Sequence, residues 1–327
     1  LTLTFTLERG WLTVAFALMV PGLAYVADKR PLPLLRLLCV ILVALVMARI
    51  VWEPRIVGDD VGRTPILNWL LWGYGVPALA FWLGARILRR RADDFASRSV
   101  ESAAITFTAL TFMLQIRHFM NDGDIYRPSA SLAELGLQVS TALAMTIGLE
   151  RVRLRTNSIV HEVAALIIGI LALFGALIST GIQFNPVFTN EPVGRPFFNV
   201  LLLGYAIPAI LMAILARMFR ETRPALAYVI AAVAAIILAL VYLTLEVRRI
   251  FHGPMIGGFS TSDAEQYTYS AVWLVFGVAL LLAGIALKSQ PARFASAAVV
   301  LLTVGKVFLY DLAGVQGDHM VVVVAAV

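Results

Sequence analysis

The chain has 327 residues, 60% hydrophobic and 14% charged, with a mean hydropathy of +0.87 and a formal net charge of +6. Soluble domains carry about 25% charged residues, and about ten spans of roughly 20 residues with short loops use up this length, leaving no room for one. Cys39 is the only cysteine and sits in an apolar run, which excludes disulfides and thiolate metal sites.

Apolar spans are predicted at 11–27, 33–52, 66–85, 99–119, 132–149, 160–180, 197–216, 225–247, 268–287 and 294–314. The chain opens on Leu1, and Arg9 is the only cation before the first span, unlike the basic start of a signal peptide. The expectation is a fragment of a longer protein, with upstream spans missing. The third span carries Gly73 to Ala78, with Pro77 removing a backbone donor and kinking the helix. Trp52, Trp69 and Trp72 fall near one interface, as belt residues do. The seventh span repeats the device with Gly204 to Ala209 and Pro208. In both, Asn68 and Asn199 are placed to bond between helices. The eighth shows Ala227, Ala231, Ala235 and Ala239 on one face, a seam for close helix packing.

The cations divide unevenly between the two ends of these spans. Fifteen of the 26 Lys and Arg fall on one side, including Arg89, Arg90 and Arg91, and eight on the other. Arg36, Arg49 and Lys306 remain inside spans. The richer side is assigned to the cytoplasm, which puts residue 1 on the periplasmic side. That distribution reads as a topology signal, so the net charge does not imply nucleic acid.

Internal repetition is visible at an offset of 131. LNWLLWGYGVPA at 67–78 matches FNVLLLGYAIPA at 198–209, and the offset carries Gln115 onto Glu246, Arg117 onto Arg248 and Glu134 onto Glu265. An offset of 257 carries Glu8 onto Glu265, Arg36 onto Arg293 and Arg49 onto Lys306. A unit of four spans keeps its orientation from copy to copy, so the repeats are parallel. The expected organisation is 1–32 as the last span of a preceding partial repeat, 33–155 and 156–288 as two four-helix repeats, and 289–327 as a truncated third. The fold class is therefore an all-α membrane protein of about ten transmembrane helices built from parallel four-helix repeats.

No catalytic motif stands out: there is no P-loop, dinucleotide fingerprint or Gly-x-Ser-x-Gly elbow, and the four histidines lack helical metal spacing. No catalytic residue, metal or cofactor is assigned. The candidate binding residues are the polar groups at membrane depth: Arg49, Gln115, Arg117, Glu134, Glu246, Arg248, Glu265, Lys306 and Asp311. Charge in lipid costs roughly 2.5 to 3.5 kcal/mol per group at a helix centre and marks function by default. Their repetition equally fits interhelical ion pairs that fix assembly. Arg49 has Glu53 four residues on. Lys306 has no acid within one turn, and Asp311 lies about 140° round the helix, so its partner is expected from another helix, water or a ligand.

Gly10 to Leu18, the Asn68 to Ala78 run and above all Tyr269 to Gly314, ending LLTVGKVFLYDLAG, resemble the bacterial family called domain of unknown function 2339. The resemblance implies a multi-pass protein of the bacterial inner membrane and brings no established activity, so no site residue is carried over from it. After Val315-Gln316-Gly317 the family pattern continues into a Leu-rich span, whereas here Asp318-His319-Met320 is followed by VVVVAAV. The expected function is a transporter-like protein moving a solute or envelope component through an outer-half polar pocket. The alternative is a non-catalytic scaffold or complex subunit, and the third reading a transferase acting on lipid-linked substrates. Expected partners are membrane lipids and other membrane subunits, with no nucleic acid.

Overall fold

A computed structural model describes residues 9–30, 32–52, 61–127, 131–258 and 260–308. Every extended element among them is a helix: α1 Arg9–Lys29, α2 Pro33–Trp52, α3 Val76–Arg89, α4 Phe95–Met120, α5 Leu132–Thr156, α6 Ile159–Phe174, the short α7 Pro186–Thr189, α8 Ile207–Thr222, α9 Ala225–His252, α10 Asp263–Ala286 and α11 Gln290–Lys306. Nine helical stretches of the described residues are long and apolar enough to cross a membrane. The tenth expected span, 294–314, is described only as far as residue 308. Backbone groups in lipid have no water to bond, which is why spans this apolar close their hydrogen bonds internally as helices.

At both prolines the break in hydrogen bonding is a π-helical turn. Leu71–Gly75 precedes α3, and the Val76 N–H reaches back five residues to the Leu71 carbonyl. Leu202–Ala206 precedes α8, and the Ile207 N–H reaches the Leu202 carbonyl. Each proline is then the second residue of the following α-helix, where its missing N–H is least costly.

The chain forms two compact units, Leu1–Ala130 with Met145–Gly169, and Ser131–Ala144 with Ile170–Val327. In the first unit α3 packs on α1 and α4, and α2 packs on α1 and α4. The seam between α1 and α3 is made of small residues. Ala17, Val20, Ala24 and Ala27 recur at helical spacing and are 0–2% exposed. A Cβ on Gly84 would lie 2.9 Å from Val20 Cγ1, so this glycine sets how closely the helices approach. Phe81 and Phe107 fill the centre edge-on, their ring centroids 5.3 Å apart.

In the second unit α9 packs on α8 and α10, and α10 on α11. Of the alanine seam, Ala231 and Ala235 are buried and Ala227 and Ala239 half-buried. A Cβ on Gly136 would lie 2.5 Å from the Leu203 carbonyl oxygen, so α5 touches the second π turn backbone to backbone.

Candidate functional site

A polar cluster of the second unit centres on Glu265 in the first turn of α10, where the Ser262 hydroxyl accepts from the Glu265 N–H and caps the helix. The Glu265 side chain is 1% exposed. Its Oε1 accepts from Tyr269 at 2.6 Å and from Arg248 Nη1 at 3.3 Å, and its Oε2 lies 2.8 Å from His252 Nε2. Arg248 spends its other donors on the loop after α9: Nε on the Ile256 carbonyl at 2.7 Å and Nη2 on the Gly258 carbonyl at 2.6 Å. Glu246 accepts from Asn199 Nδ2 at 2.6 Å and from the Phe197 N–H at 3.3 Å. Lys306 donates from α11 to α10, to the Gln266 carbonyl and the Ser270 hydroxyl, each at 2.9 Å. Both of these partners lie on another helix. Glu134, 1% exposed, accepts from Gln138 at 3.2 Å.

The first unit contains a matching arrangement. Asn68 and Gln115 exchange amide bonds at 2.9 and 3.0 Å, and Gln115 also donates to the Ile66 carbonyl at 3.1 Å. Arg117 donates from Nε to the Ile125 carbonyl at 2.7 Å and from Nη2 to the Arg127 carbonyl. His118, 2% exposed, contacts the Gly62 carbonyl through Nε2 at 2.7 Å and Asn68 through Nδ1 at 3.3 Å. Arg49 donates from α2 to Thr13 on α1 at 3.4 Å.

These bonds recur at constant spacing. At an offset of 131, Asn68–Gln115 becomes Asn199–Glu246, and Arg117 with Ile125 and Arg127 becomes Arg248 with Ile256 and Gly258. The π turns Leu71–Gly75 and Leu202–Ala206, and the left-handed residues Ile66 and Phe197 (φ 68° and 63°), keep the same spacing. His118 on the Gly62 carbonyl is replaced by Arg249 on the Gly194 carbonyl at 2.9 Å, the donor 131 and the acceptor 132 positions on. At an offset of 257, Arg49 on Thr13 becomes Lys306 on Ser270.

A second network, in the first unit, includes residues that sequence reasoning passed over. Glu101, 5% exposed on α4, meets Arg89 Nη1 at 2.6 Å, the Ser158 hydroxyl at 3.3 Å and His161 Nδ1 at 3.4 Å. Beside it lies a cavity of about 480 Å³ whose lining includes Trp82, Arg86, Arg89, Thr156 and His161. Glu150, fully buried, pairs with Arg153 at 2.6 Å. Arg36 reaches from α2 to Asp94 with two bonds, Nε at 2.7 Å and Nη2 at 2.6 Å. Asp94 also caps α4 in a reciprocal box with Ser97. The Arg36 guanidinium hydrogen-bonded to it holds the Asp94 carboxyl below its usual range. The available signal was plain: Glu101 is an acid inside a predicted span.

Asp311 and Glu53 lie outside the described residues, so the candidate set is described without Asp311 and without the Glu53 partner of Arg49. Among the described residues no group of three or more His, Cys, Asp or Glu is placed to hold a metal ion.

Described residues whose extended elements are all helices, nine stretches of them apolar and of crossing length, have the architecture of an integral membrane protein. The chain belongs to the family described as "Predicted membrane protein (DUF2339)", whose model matches residues 1–322. No curated protein and no solved structure matches the chain.

Proposed function

We propose that the protein is a non-catalytic scaffold or complex subunit of the bacterial inner membrane, and that its outer-half charges are structural clasps. The observation that carries this is where those charges are spent. Each described member of the set, from Arg49 to Lys306, has a hydrogen-bond partner, and Arg117 and Arg248 hold carbonyls of the loops that follow their own helices. A solute site needs donors left free for the solute, whereas a clasp uses them on the protein.

The same bonds support a parallel duplication, with repeats at 33–155 and 156–288, a preceding span at 1–32 and a third start at 289–327. Polar contacts that recur with their partners in register are stronger support than apolar similarity. The arginine-rich ends, with Arg89 to Arg91 and Arg151 to Arg155, are assigned to the cytoplasm and residue 1 to the periplasm. Reporter fusions after Arg91 and after Asp124 test this, with cytoplasmic and periplasmic signals expected; the reverse at both sites contradicts it.

A solute-handling role has one observation in its favour, the cavity beside Glu101 and His161. Growth of a deletion strain separates the two readings. Under the scaffold reading, Glu101→Gln with His161→Gln retains rescue as long as the protein remains folded. A folded double variant without rescue would favour solute handling.

A further inference from the structure

The second unit has a groove of about 840 Å³ between α9 and α11. Val229, Val233, Ile236 and Leu240 wall it along successive turns of α9. Across from them α11 contributes Phe294, Val299 and Leu302 with the small Ala295 and Ala298 between them. From Val229 to Leu240 the wall runs about 16 Å at 1.5 Å per residue, close to the depth of one leaflet's hydrocarbon, half of about 30 Å.

At one end the groove is lined by Arg220, Lys288 and Arg293. Arg220 donates to the Leu287 and Lys288 carbonyls at 2.7 and 3.2 Å, which fixes the rim. Lys288 and Arg293 are exposed beside it. Among the described lining residues there is no acid. The first unit differs at the positions 131 residues earlier: Arg89 is neutralised by Glu101 at 2.6 Å, and His161 stands beside it. The positions of Glu101 and His161 correspond to Ala232 and Ala292. Exposed apolar side chains run along many of these helices and mean only that lipid touches them. A concave apolar trough ending in three cations with no acid is a different feature, and basic pockets between spans recognise anionic head groups.

We infer that this groove binds an anionic phospholipid, with its phosphate at Lys288 and Arg293 beside Arg220 and one acyl chain along α9 and α11. The inference goes beyond the scaffold reading and does not depend on it.

Native mass spectrometry of the purified protein with added phosphatidylglycerol or phosphatidylcholine tests it. The probes are the Lys288→Ser/Arg293→Gln double variant for the head group and Ala298→Phe for the chain. The wild type should retain phosphatidylglycerol in preference to phosphatidylcholine. The double charge variant should lose on the order of 25-fold in phosphatidylglycerol affinity, about fivefold per cation, with phosphatidylcholine unchanged. Ala298→Phe should lower retention with the cations intact. All proteins are compared at matched thermal stability, and Arg86→Gln, at the other cavity, should leave lipid retention unchanged. Equal retention of the two lipids, or undiminished retention by both probe variants, overturns the inference. So does a dimer that dissociates on Ala298→Phe, since the occupant is then a second copy, or displacement of the lipid by inorganic phosphate alone.

Discussion

Arg117 and Arg248 stand 131 positions apart and make the same bond: each Nε donates at 2.7 Å to the carbonyl eight residues further on, Ile125 and Ile256. In each case a second guanidinium nitrogen takes the carbonyl two residues beyond, Arg127 and Gly258. A guanidinium offers five donors in a rigid fork, so one side chain can hold a whole turn of loop against a helix end.

Removing a clasp should release its own loop. Arg248→Gln leaves Glu265 buried without its cation and frees two carbonyls, a loss of about 3 kcal/mol. Thermal unfolding in mild detergent should show it, and limited proteolysis should cut within 253–262. Arg117→Gln should cut within 121–127 instead. Cleavage at unrelated loops would show that the clasps do not hold these segments.

The π turn touching α5 makes a sharper test of packing. On Gly136→Ala the new methyl meets the Leu203 carbonyl and the Gly204 Cα, at 2.5 and 2.8 Å, and neither is a side chain that can swing away. A loss of about 1–3 kcal/mol is expected. Gly148→Ala on the same helix meets nothing within 4 Å and should be neutral or stabilising by up to about 1 kcal/mol. Equal melting temperatures for the two variants would contradict the close approach.

Much of this fold was legible from composition and polar spacing. Runs of about twenty apolar residues have few alternatives to a membrane helix, and the Gly-Tyr-x-x-Pro-Ala pairs at 73–78 and 204–209 located two of the three π-helical interruptions among the described residues; the third, Gly175–Gln183, contains no proline. The π form of those breaks was not legible, because a proline signals a lost hydrogen bond and not how the turn before it rewinds. For Lys306, eliminating Asp311 on helical angle left another helix, water or a ligand as the partner, and Gln266 and Ser270 on α10 accept from it. Glu101 itself was legible as an acid inside a predicted span, but its partners were not, because Arg89, Ser158 and His161 lie 12, 57 and 60 positions away in sequence with no spacing rule to connect them.

The Arg36–Asp94 pair predicts an acid-side dependence. The folded carboxyl titrates below its unfolded value of about 3.9. The stabilisation is therefore fully present above that value and is lost as pH falls through the lower, folded one. Asp94→Asn should melt below the wild type at pH 7, and the gap should narrow as pH falls towards 3. With Asp94 partly exposed, the difference is modest. A gap independent of pH would mean that the helix cap, not the charge, carries the effect.

Glu101 gives a graded series. Glu101→Gln retains a partner for Arg89 and Ser158 and should cost about 1 kcal/mol, while Glu101→Leu leaves Ser158 without one and Arg89 with only the Asp93 carboxylate at 4.0 Å, and should cost about 1–3 kcal/mol. Thermal unfolding of the two variants side by side checks the order. Equal melting of the Gln and Leu variants would show that the bonds to Glu101 contribute nothing.

The most direct measurement pairs stability with function at Arg248 and Glu265. If these charges are clasps, Arg248→Met and Glu265→Gln each lower the melting temperature, and the double variant recovers part of the loss because no unpaired ion is left buried. The folded double variant should then restore growth of a deletion strain as well as the wild type does. A double variant that melts with the wild type yet fails to restore growth would contradict the structural role and place the activity in this cluster.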